Sequence, residues 1–161
     1  VTVASPAAAI TLPTEDEQWV LRTSKPQHVQ LALPATWQYH GGSASRFDFV
    51  EGYDGSFLAF GRGKSYGFSL NFITSYARSH LGQITSLKSV HLDKVSAGRL
   101  GGAQARILQY HGKYSGSTRY VYEVLAARGG YLYDMAVRFP RKPTAADKAM
   151  WAVFLASFKF K

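Results

Sequence analysis

Alternation of apolar and polar residues is clearest in the second half of the chain. Residues 103–110, 118–126 and 131–139 each alternate, which predicts three strands. The glycine pair at 101–102 is predicted as a turn into the first of these strands, and the pair at 129–130 as the turn between the last two. Residues 111–117, with two glycines, are predicted as a loop. The pattern therefore indicates an antiparallel meander.

The alternation also assigns faces to this meander. A hairpin with a short even-membered turn places the aromatic and aliphatic rows of residues 120–126 and 131–139 on one shared face, as a packed sheet requires. The other face carries polar residues, and we expect Glu123 and Arg138 to form an exposed diagonal ion pair there. These polar residues are Arg119, Glu123, Asp134 and Arg138.

Two helices are predicted from apolar stripes of helical period. Residues 68–81 place Phe68, Phe72, Tyr76 and Leu81 near one stripe with Ile73 beside it, and Gly82 follows as a C-terminal stop. In the second helix Thr144 is the predicted N-cap, with Asp147 three residues later as its capping-box partner. The broad apolar stripe that follows, up to Phe158, predicts that this helix lies on the sheet.

The first half of the chain is less regular. Residues 28–33, 46–51, 56–60 and 87–95 are predicted strands, residues 19–21 a short strand or turn, and Asp54-Gly55 a hairpin turn. Trp37 is expected to close the edge of the core. The sequence therefore predicts an α+β domain over residues 18–161, in which helices flank a central antiparallel sheet.

Composition limits the location of the protein and the kinds of site it can hold. The chain of 161 residues has no cysteine, which excludes disulfides and thiolate metal sites, and no apolar run long enough for a transmembrane helix. Residues 1–17 are expected to be a flexible tether, because their first twelve are rich in Ala, Thr and Pro. Such a tether follows a removed signal peptide or a lipid-anchored residue, which predicts an exported protein, periplasmic or anchored at the cell surface. A trimmed cytosolic protein is the alternative.

Positive charge is concentrated in the second half of the chain. The net charge is +9, with 7 basic and 6 acidic residues in positions 1–90 but 12 and 4 in positions 91–161. This asymmetry suggests an anionic partner, such as lipid headgroups, an acidic protein or nucleic acid, whereas the alternative is a solvated surface. The candidate binding residues are Arg62, Lys64, Arg106, Arg119, Arg138, Arg141 and Lys142.

The glycine-rich stretch 61–67 is predicted as a loop and carries two short catalytic patterns. Gly63-Lys64-Ser65-Tyr66-Gly67 fits Gly-x-Ser-x-Gly, and Asp93 and His111 follow in the order of a hydrolase triad. A small serine hydrolase using Ser65 is therefore an alternative function, although the short chain and the meander argue against that fold. The P-loop pattern fails, because Leu58 stands where its first glycine is required.

Neither histidine spacing nor the aromatic residues give a definite site. None of the five histidines lies four residues from another, so no metal site is predicted, and no cofactor is expected. Tyrosines alternate with arginines in the meander, as in surfaces that stack nucleic-acid bases. Because these tyrosines share the parity of Val124, Met135 and Val137, a core role is favoured, and nucleic-acid binding is kept as an alternative.

Several dispersed motifs occur in a recognisable order. They are Leu33-Pro34-x-x-Trp37, a mid-chain helix, Gly101-Gly102-x-x-Ala105, Tyr131-x-Tyr133 and a final helix running into Ala156-Ser157-Phe158-Lys159. Over residues 29–160 the chain resembles the PsbP-like family, which includes DcrB-type bacterial lipoproteins and Mog-type proteins. The resemblance implies an antiparallel sheet sandwiched by helices, an α/β/α arrangement.

The same resemblance implies a non-catalytic role at membranes, in which some relatives act as chaperones or adaptors. No catalytic residues come with it. The basic C-terminal half and the stretch 61–67 depart from the family pattern. We therefore expect a non-enzymatic binding or scaffolding domain of the bacterial envelope, which engages a protein partner or an anionic surface.

Overall fold

The computed structural model describes residues 2–4, 9–11 and 18–161. The predicted tether, residues 1–17, falls largely outside the described residues and stays a prediction. The elements are β1 (Thr2–Ala4), β2 (Ala9–Thr11), β3 (Trp19–Ser24), β4 (Val29–Pro34), β5 (Gln38–His40), β6 (Asp48–Glu51), β7 (Phe57–Lys64), α1 (Leu70–Ser79), β8 (Lys88–Leu100), β9 (Ala103–Tyr114), β10 (Ser117–Arg128), β11 (Tyr131–Phe139), α2 (Ala145–Ser157) and β12 (Lys159–Phe160).

A seven-stranded antiparallel sheet forms the centre of the domain. Its strand order is β5-β6-β7-β11-β10-β9-β8, so the last four strands are sequential neighbours and β7 joins β11 from the other side. The predicted meander is therefore correct. Gly101 and Gly102 form the two-residue turn between β8 and β9, with φ angles of 56° and 84° that glycine adopts without strain.

Two segments predicted as loops lie mostly within strands. β9 continues to Tyr114 with Gly112 inside it, and the turn consists of Ser115 and Gly116. β7 likewise extends to Lys64 and includes Gly61 and Gly63. Gly61 is required by packing rather than by a turn, because the ring of Phe47 occupies the space of a β-carbon there. Glycine at this position lets the Phe47 ring lie against the backbone of β7. The prediction of a loop over residues 61–64 is therefore wrong.

One face of the sheet is covered by α2 and by a three-stranded sheet of order β12-β4-β3. The predicted capping box is present: the side chain of Thr144 accepts from the Asp147 N–H, and Asp147 accepts from the Thr144 N–H. Phe154 packs edge-on against Trp19 and Trp37, with ring centroids 5.9 and 6.0 Å apart. The aromatic rows of β10 and β11 face this core, as the alternation predicts.

The opposite face is covered by α1 and by the turns of residues 80–87. Apolar contacts there join Ala77, Leu81 and Leu87 to Leu108 and Val121 of the sheet. The α+β class is therefore correct. The α/β/α arrangement is matched in part, because one helix lies on each face and a second sheet shares the α2 side.

Candidate functional site

The apolar stripe of α1 faces solvent. Phe68, Phe72 and Tyr76, which the helical pattern predicts as one packed stripe, are 51%, 53% and 61% exposed. The buried side of the helix is instead formed by Ile73 and Thr74. Because small and β-branched residues suffice for contact with the sheet, the larger rings remain outside.

These rings form a continuous surface, here called the aromatic patch: Tyr66, Phe68, Phe72 and Tyr76. Tyr66 is 78% exposed, and the rings of Phe68 and Phe72 lie 4.5 Å apart between centroids. Together with Ile73 and Leu132, the patch encloses a cleft of about 370 Å³. Contiguous exposed apolar surface of this kind usually marks an interaction site.

Cations surround the end of the sheet from which the patch projects. This end carries the turns at 65–67, 101–102 and 129–130, and we call its four arginines and one lysine the basic end: Arg62, Lys64, Arg99, Arg106 and Arg128. Arg62 lies over the Tyr131 ring at 3.7 Å and Arg128 over the Phe160 ring at 4.4 Å. Arg106 donates to Asn71 Oδ1 at the start of α1, at 3.0 Å.

Acidic residues are located elsewhere in the described part of the chain. Residues 55–92 contain no Asp or Glu. The exposed carboxylates of Glu51, Asp54 and Asp93 lie toward the opposite end of the sheet, where Phe57 pairs with Arg138 and His111 with Tyr120. Among the described residues the aromatic patch therefore has Lys64 at its cleft and Arg106 at the start of α1, and no exposed carboxylate, beside it. Arg62 and Arg128 lie at the same end of the sheet but on its α2 side.

The structure brings three of the seven predicted binding residues together. Arg62, Lys64 and Arg106 belong to the basic end, whereas the other four are distributed over the opposite part of the molecule. Arg141 bridges Asp54 and Asp147 at 2.8 Å each, which ties the turn before β7 to the start of α2. Lys142 is exposed beside a separate groove. Binding by these residues remains a prediction.

Arg138 is a structural residue rather than an exposed contact. It is 8% exposed, donates to the carbonyl of Thr85 and lies over the ring of Tyr114 at 4.1 Å. Arg119 lies over the same ring at 5.9 Å. Burial lowers the pKa of Arg138 from its ordinary value. The expectation of a free surface at this position is wrong, because α1 and the turns after it cover this face.

Glu123 is also buried, and the predicted Glu123–Arg138 ion pair is absent from the described residues. Glu123 accepts from the Tyr110 hydroxyl at 2.7 Å and faces Asp134 diagonally across β10 and β11. Burial raises the pKa of both carboxyl groups, and for Asp134 the charge of Glu123 raises it further. The raised pKa values favour the protonated form of these carboxyl groups, and Glu123 is paired with the Tyr110 hydroxyl rather than with an arginine.

The predicted triad is not assembled. Asp93 Oδ2 lies 2.8 Å from His111 Nδ1, so these two residues do meet. Ser65 is 6% exposed and donates its N–H to Gly130, at the other end of the sheet. His111 pairs with Tyr120, and Tyr120 is separated from Arg128, beside that turn, by about 26 Å of strand. Ser65 and His111 cannot act on one substrate atom.

Metal and membrane-spanning features are not found in the described residues. No group of three or more His, Asp or Glu side chains there is arranged to hold a metal ion. Neither α1 nor α2 is long and apolar enough to cross a bilayer.

The fold can be compared with known structures. It superposes on cyanobacterial PsbP (CyanoP) from Synechocystis sp. PCC 6803 with a TM-score of 0.68 at 10% identity, covering 89% of this chain and 92% of that one. The protein has a PsbP-like fold. LpqN of Mycobacterium tuberculosis, described as involved in cell envelope biogenesis, is similar with a TM-score of 0.64 at 15% identity, covering 91% and 92%.

A structure from Bacteroides thetaiotaomicron gives a TM-score of 0.57 at 12% identity, covering 88% of this PsbP-like chain and 48% of that one. No model of a known protein family matches the sequence, and no curated protein matches it. At these identities the likeness establishes the fold, and the relation to DcrB-type or Mog-type proteins remains a prediction.

Proposed function

We propose that this PsbP-like domain is a non-catalytic envelope protein that binds an anionic membrane surface. The observation that carries the proposal is the aromatic patch beside the basic end, with no exposed carboxylate near it among the described residues. An envelope location is supported by the similarity to LpqN, whose description names cell envelope biogenesis. It is supported also by the tether-like composition of residues 1–12.

Interfacial helices bind bilayers through the two kinds of residue found here. Their apolar face enters the boundary between headgroups and acyl chains, where aromatic rings are favoured, and their cations remain among the headgroups. Each Lys or Arg near an anionic surface contributes about 1 kcal/mol of attraction. Phe68 and Phe72 would supply the inserted surface, and the basic end would supply the attraction.

The aromatic residues favour a membrane over nucleic acid. Tyr122 and Tyr133, which a base-stacking surface would need on the outside of the sheet, are buried in the core beneath α2. The exposed rings instead lie on and before α1, around an apolar cleft. Single-stranded nucleic acid requires rings spaced along a charged groove, whereas a bilayer requires one compact apolar face.

The test is co-sedimentation with vesicles of phosphatidylcholine alone and of phosphatidylcholine with phosphatidylglycerol. We expect binding only to the anionic vesicles, and weaker binding as salt shortens the range of electrostatic attraction. The double variants Phe68→Ser/Phe72→Ser and Arg99→Ser/Arg128→Ser should each reduce binding about tenfold or more.

Matched controls lie at the opposite end of the sheet. Lys94→Ser/Lys113→Ser removes the same charge as the arginine variant, and Tyr53→Ser removes a ring that is 91% exposed. Both should bind vesicles like the unaltered protein. Absence of binding at low salt, or equal loss in variants and controls, would reject the proposal. Retention of single-stranded DNA without retention of vesicles would favour the nucleic-acid alternative, and exclusive capture by a protein would favour the partner alternative.

A further inference from the structure

A second surface feature lies far from the aromatic patch, on the α2 side of the sheet. It is a groove of about 410 Å³ between the strand ends of β8–β10 and the segment leading into α2. This volume is within the range of about 300–1,000 Å³ typical of sites for small molecules. The groove is independent of the proposed membrane surface.

The floor of the groove is a block of four side chains. Gln109 is directly opposite Tyr122, and His111 is directly opposite Tyr120, so these four residues lie side by side on one face of the β9–β10 pair. The rings of His111 and Tyr120 are 5.9 Å apart between centroids. The floor therefore offers two neighbouring aromatic rings, tilted by 34° to each other, with an amide beside them.

His111 is held in one orientation by Asp93. The carboxylate accepts from Nδ1–H at 2.8 Å, while His111 and Asp93 are 36% and 42% exposed. This contact fixes the tautomer and leaves Nε2 as the ring nitrogen that a ligand can reach. Asp93 also lines the groove and keeps its negative charge, so the acid group of a ligand is expected at the lysine side of the groove rather than beside this carboxylate.

The wall of the groove supplies positive charge. Lys142 and Lys148 are both exposed at its edge, and neither pairs with a carboxylate among the residues that the structure describes. Asp147, the neighbour of Lys148 in the chain, is already held by Arg141 and by the Thr144 N–H. Both ammonium groups are therefore available to a ligand.

We propose that this groove binds a small acidic sugar, a six-membered ring that bears a carboxylate or a phosphate. The ring lies on Tyr120, its hydroxyl groups bond to Gln109 and to His111 Nε2, and its acid group pairs with Lys142 and Lys148. A few placed polar groups around an aromatic surface are the usual composition of such sites. Charge-assisted hydrogen bonds to the acid group are the strongest contacts available there.

The test follows backbone and histidine NMR signals of the full chain during titration with four probes. Glucuronate and glucose 6-phosphate carry both ring and charge, glucose carries the ring alone, and inorganic phosphate carries charge alone. We expect saturable shifts at His111 and Tyr120 with at least one of the two acidic sugars, which also distinguishes a carboxylate from a phosphate. Glucose and phosphate should bind at least about tenfold more weakly.

Variants then locate the binding. Lys142→Ser/Lys148→Ser should weaken the acidic sugar about tenfold or more. The control Lys25→Ser/Lys161→Ser removes two exposed charges outside the groove and should leave the affinity unchanged. Because all four lysines are exposed, the fold should survive, which well-dispersed spectra would verify. Equal shifts with glucose or with phosphate, loss in the control, or no shift up to about 20 mM of any probe would overturn the proposal.

Discussion

The two faces of the seven-stranded sheet are built differently. On the α2 face most contacts are apolar, and large side chains such as Phe154, Phe139 and Met135 are fully buried, although Gln27 and Asp48 form a buried hydrogen-bonded pair at one edge. On the α1 face polar and ionisable groups share the interior: Glu123 meets Tyr110 and Asp134, and Arg138 bonds to the backbone of Thr85. The α2 face therefore buries mainly large apolar side chains, whereas the α1 face also buries a glutamate and an arginine.

This difference explains where the exposed rings lie. The α2 face buries its aromatic side chains against a helix and a second sheet, so stability is concentrated there. The α1 face combines apolar contacts through Leu81 and Leu87 with a polar network, and its helix carries Phe68, Phe72 and Tyr76 outward. We infer that the α2 face contributes more of the stability, and that the α1 face carries the surface proposed to meet a membrane.

The largest expected effect is on the α2 face. Phe154→Ala removes a fully buried ring between Trp19 and Trp37, and should lower the free energy of unfolding by about 3–5 kcal/mol. Phe72→Ala, the same change on the half-exposed side of α1, should cost about 0.5 kcal/mol or less. Denaturation in urea measures both values. Similar losses of unfolding free energy in the two variants would show that the two faces do not differ in their contribution to stability.

An intermediate effect is expected from the buried carboxyl pair on the α1 face. Burial and the charge of Glu123 raise the pKa of Asp134, so the folded protein binds this proton more tightly than the unfolded chain. The contribution to stability is therefore complete below the unfolded pKa of about 3.9, and is lost as the pH rises through the raised value. Each unit of the pKa difference corresponds to about 1.4 kcal/mol.

Asp134→Asn should reduce this pH dependence and leave only the part that comes from burial of Glu123, as measured by urea denaturation at several pH values between about 4 and 8. Glu51→Gln, a change at an exposed carboxylate, is the control and should retain it. If the Asp134 variant and the unaltered protein lost stability in parallel as the pH rose, the pKa of Asp134 would not be raised in the folded state.

The smallest effect is expected at Arg141, which joins elements at the surface. Arg141→Ala removes an exposed ion pair with Asp54 and a second ion pair with the buried Asp147, and should cost about 0.5–1 kcal/mol, less at high salt. Burial alone would raise the pKa of Asp54, but hydrogen bonds from Arg141 and Ser56 lower it. The Asp54 carboxylate therefore contributes stability above its unfolded pKa, and this contribution is lost as the pH falls. The pH dependence is opposite in sign to that of Asp134.

Lys94→Ala is a suitable comparison for Arg141→Ala, because it removes an exposed charge that forms no ion pair among the described residues. Its unfolding free energy should equal that of the unaltered protein at both low and high salt. A loss at Arg141 that did not shrink with salt would indicate packing rather than electrostatics.

Local patterns predicted the meander and α2 well. Alternation over residues 118–139 fixes the faces of β10 and β11, and Thr144 with Asp147 forms the predicted cap, because these features depend on near neighbours in the chain. Glycine was less informative. Gly61 and Gly112 lie inside strands, where crowding by residues distant in sequence excludes a side chain.

The candidate surface could be predicted only in part. Periodicity identified the stripe of Phe68, Phe72 and Tyr76 but not its direction, since the sheet is contacted through Ile73 and Ala77 instead. The basic end draws residues from four strands, so the register of the whole sheet was needed to assemble it. Arg138 was predicted to lie on an exposed face. The alternation within a strand does not show whether another segment of the chain covers that face.

The strand order has a consequence for the order of folding. β8 to β11 pair with their neighbours along the chain through two-residue turns. Because each hairpin closes only a short loop, its formation costs little conformational entropy. β7, by contrast, pairs with β11 only after the whole segment between Lys64 and Tyr131 has been arranged. We expect the meander to form the early nucleus, and the docking of β7 to complete the sheet late and more slowly.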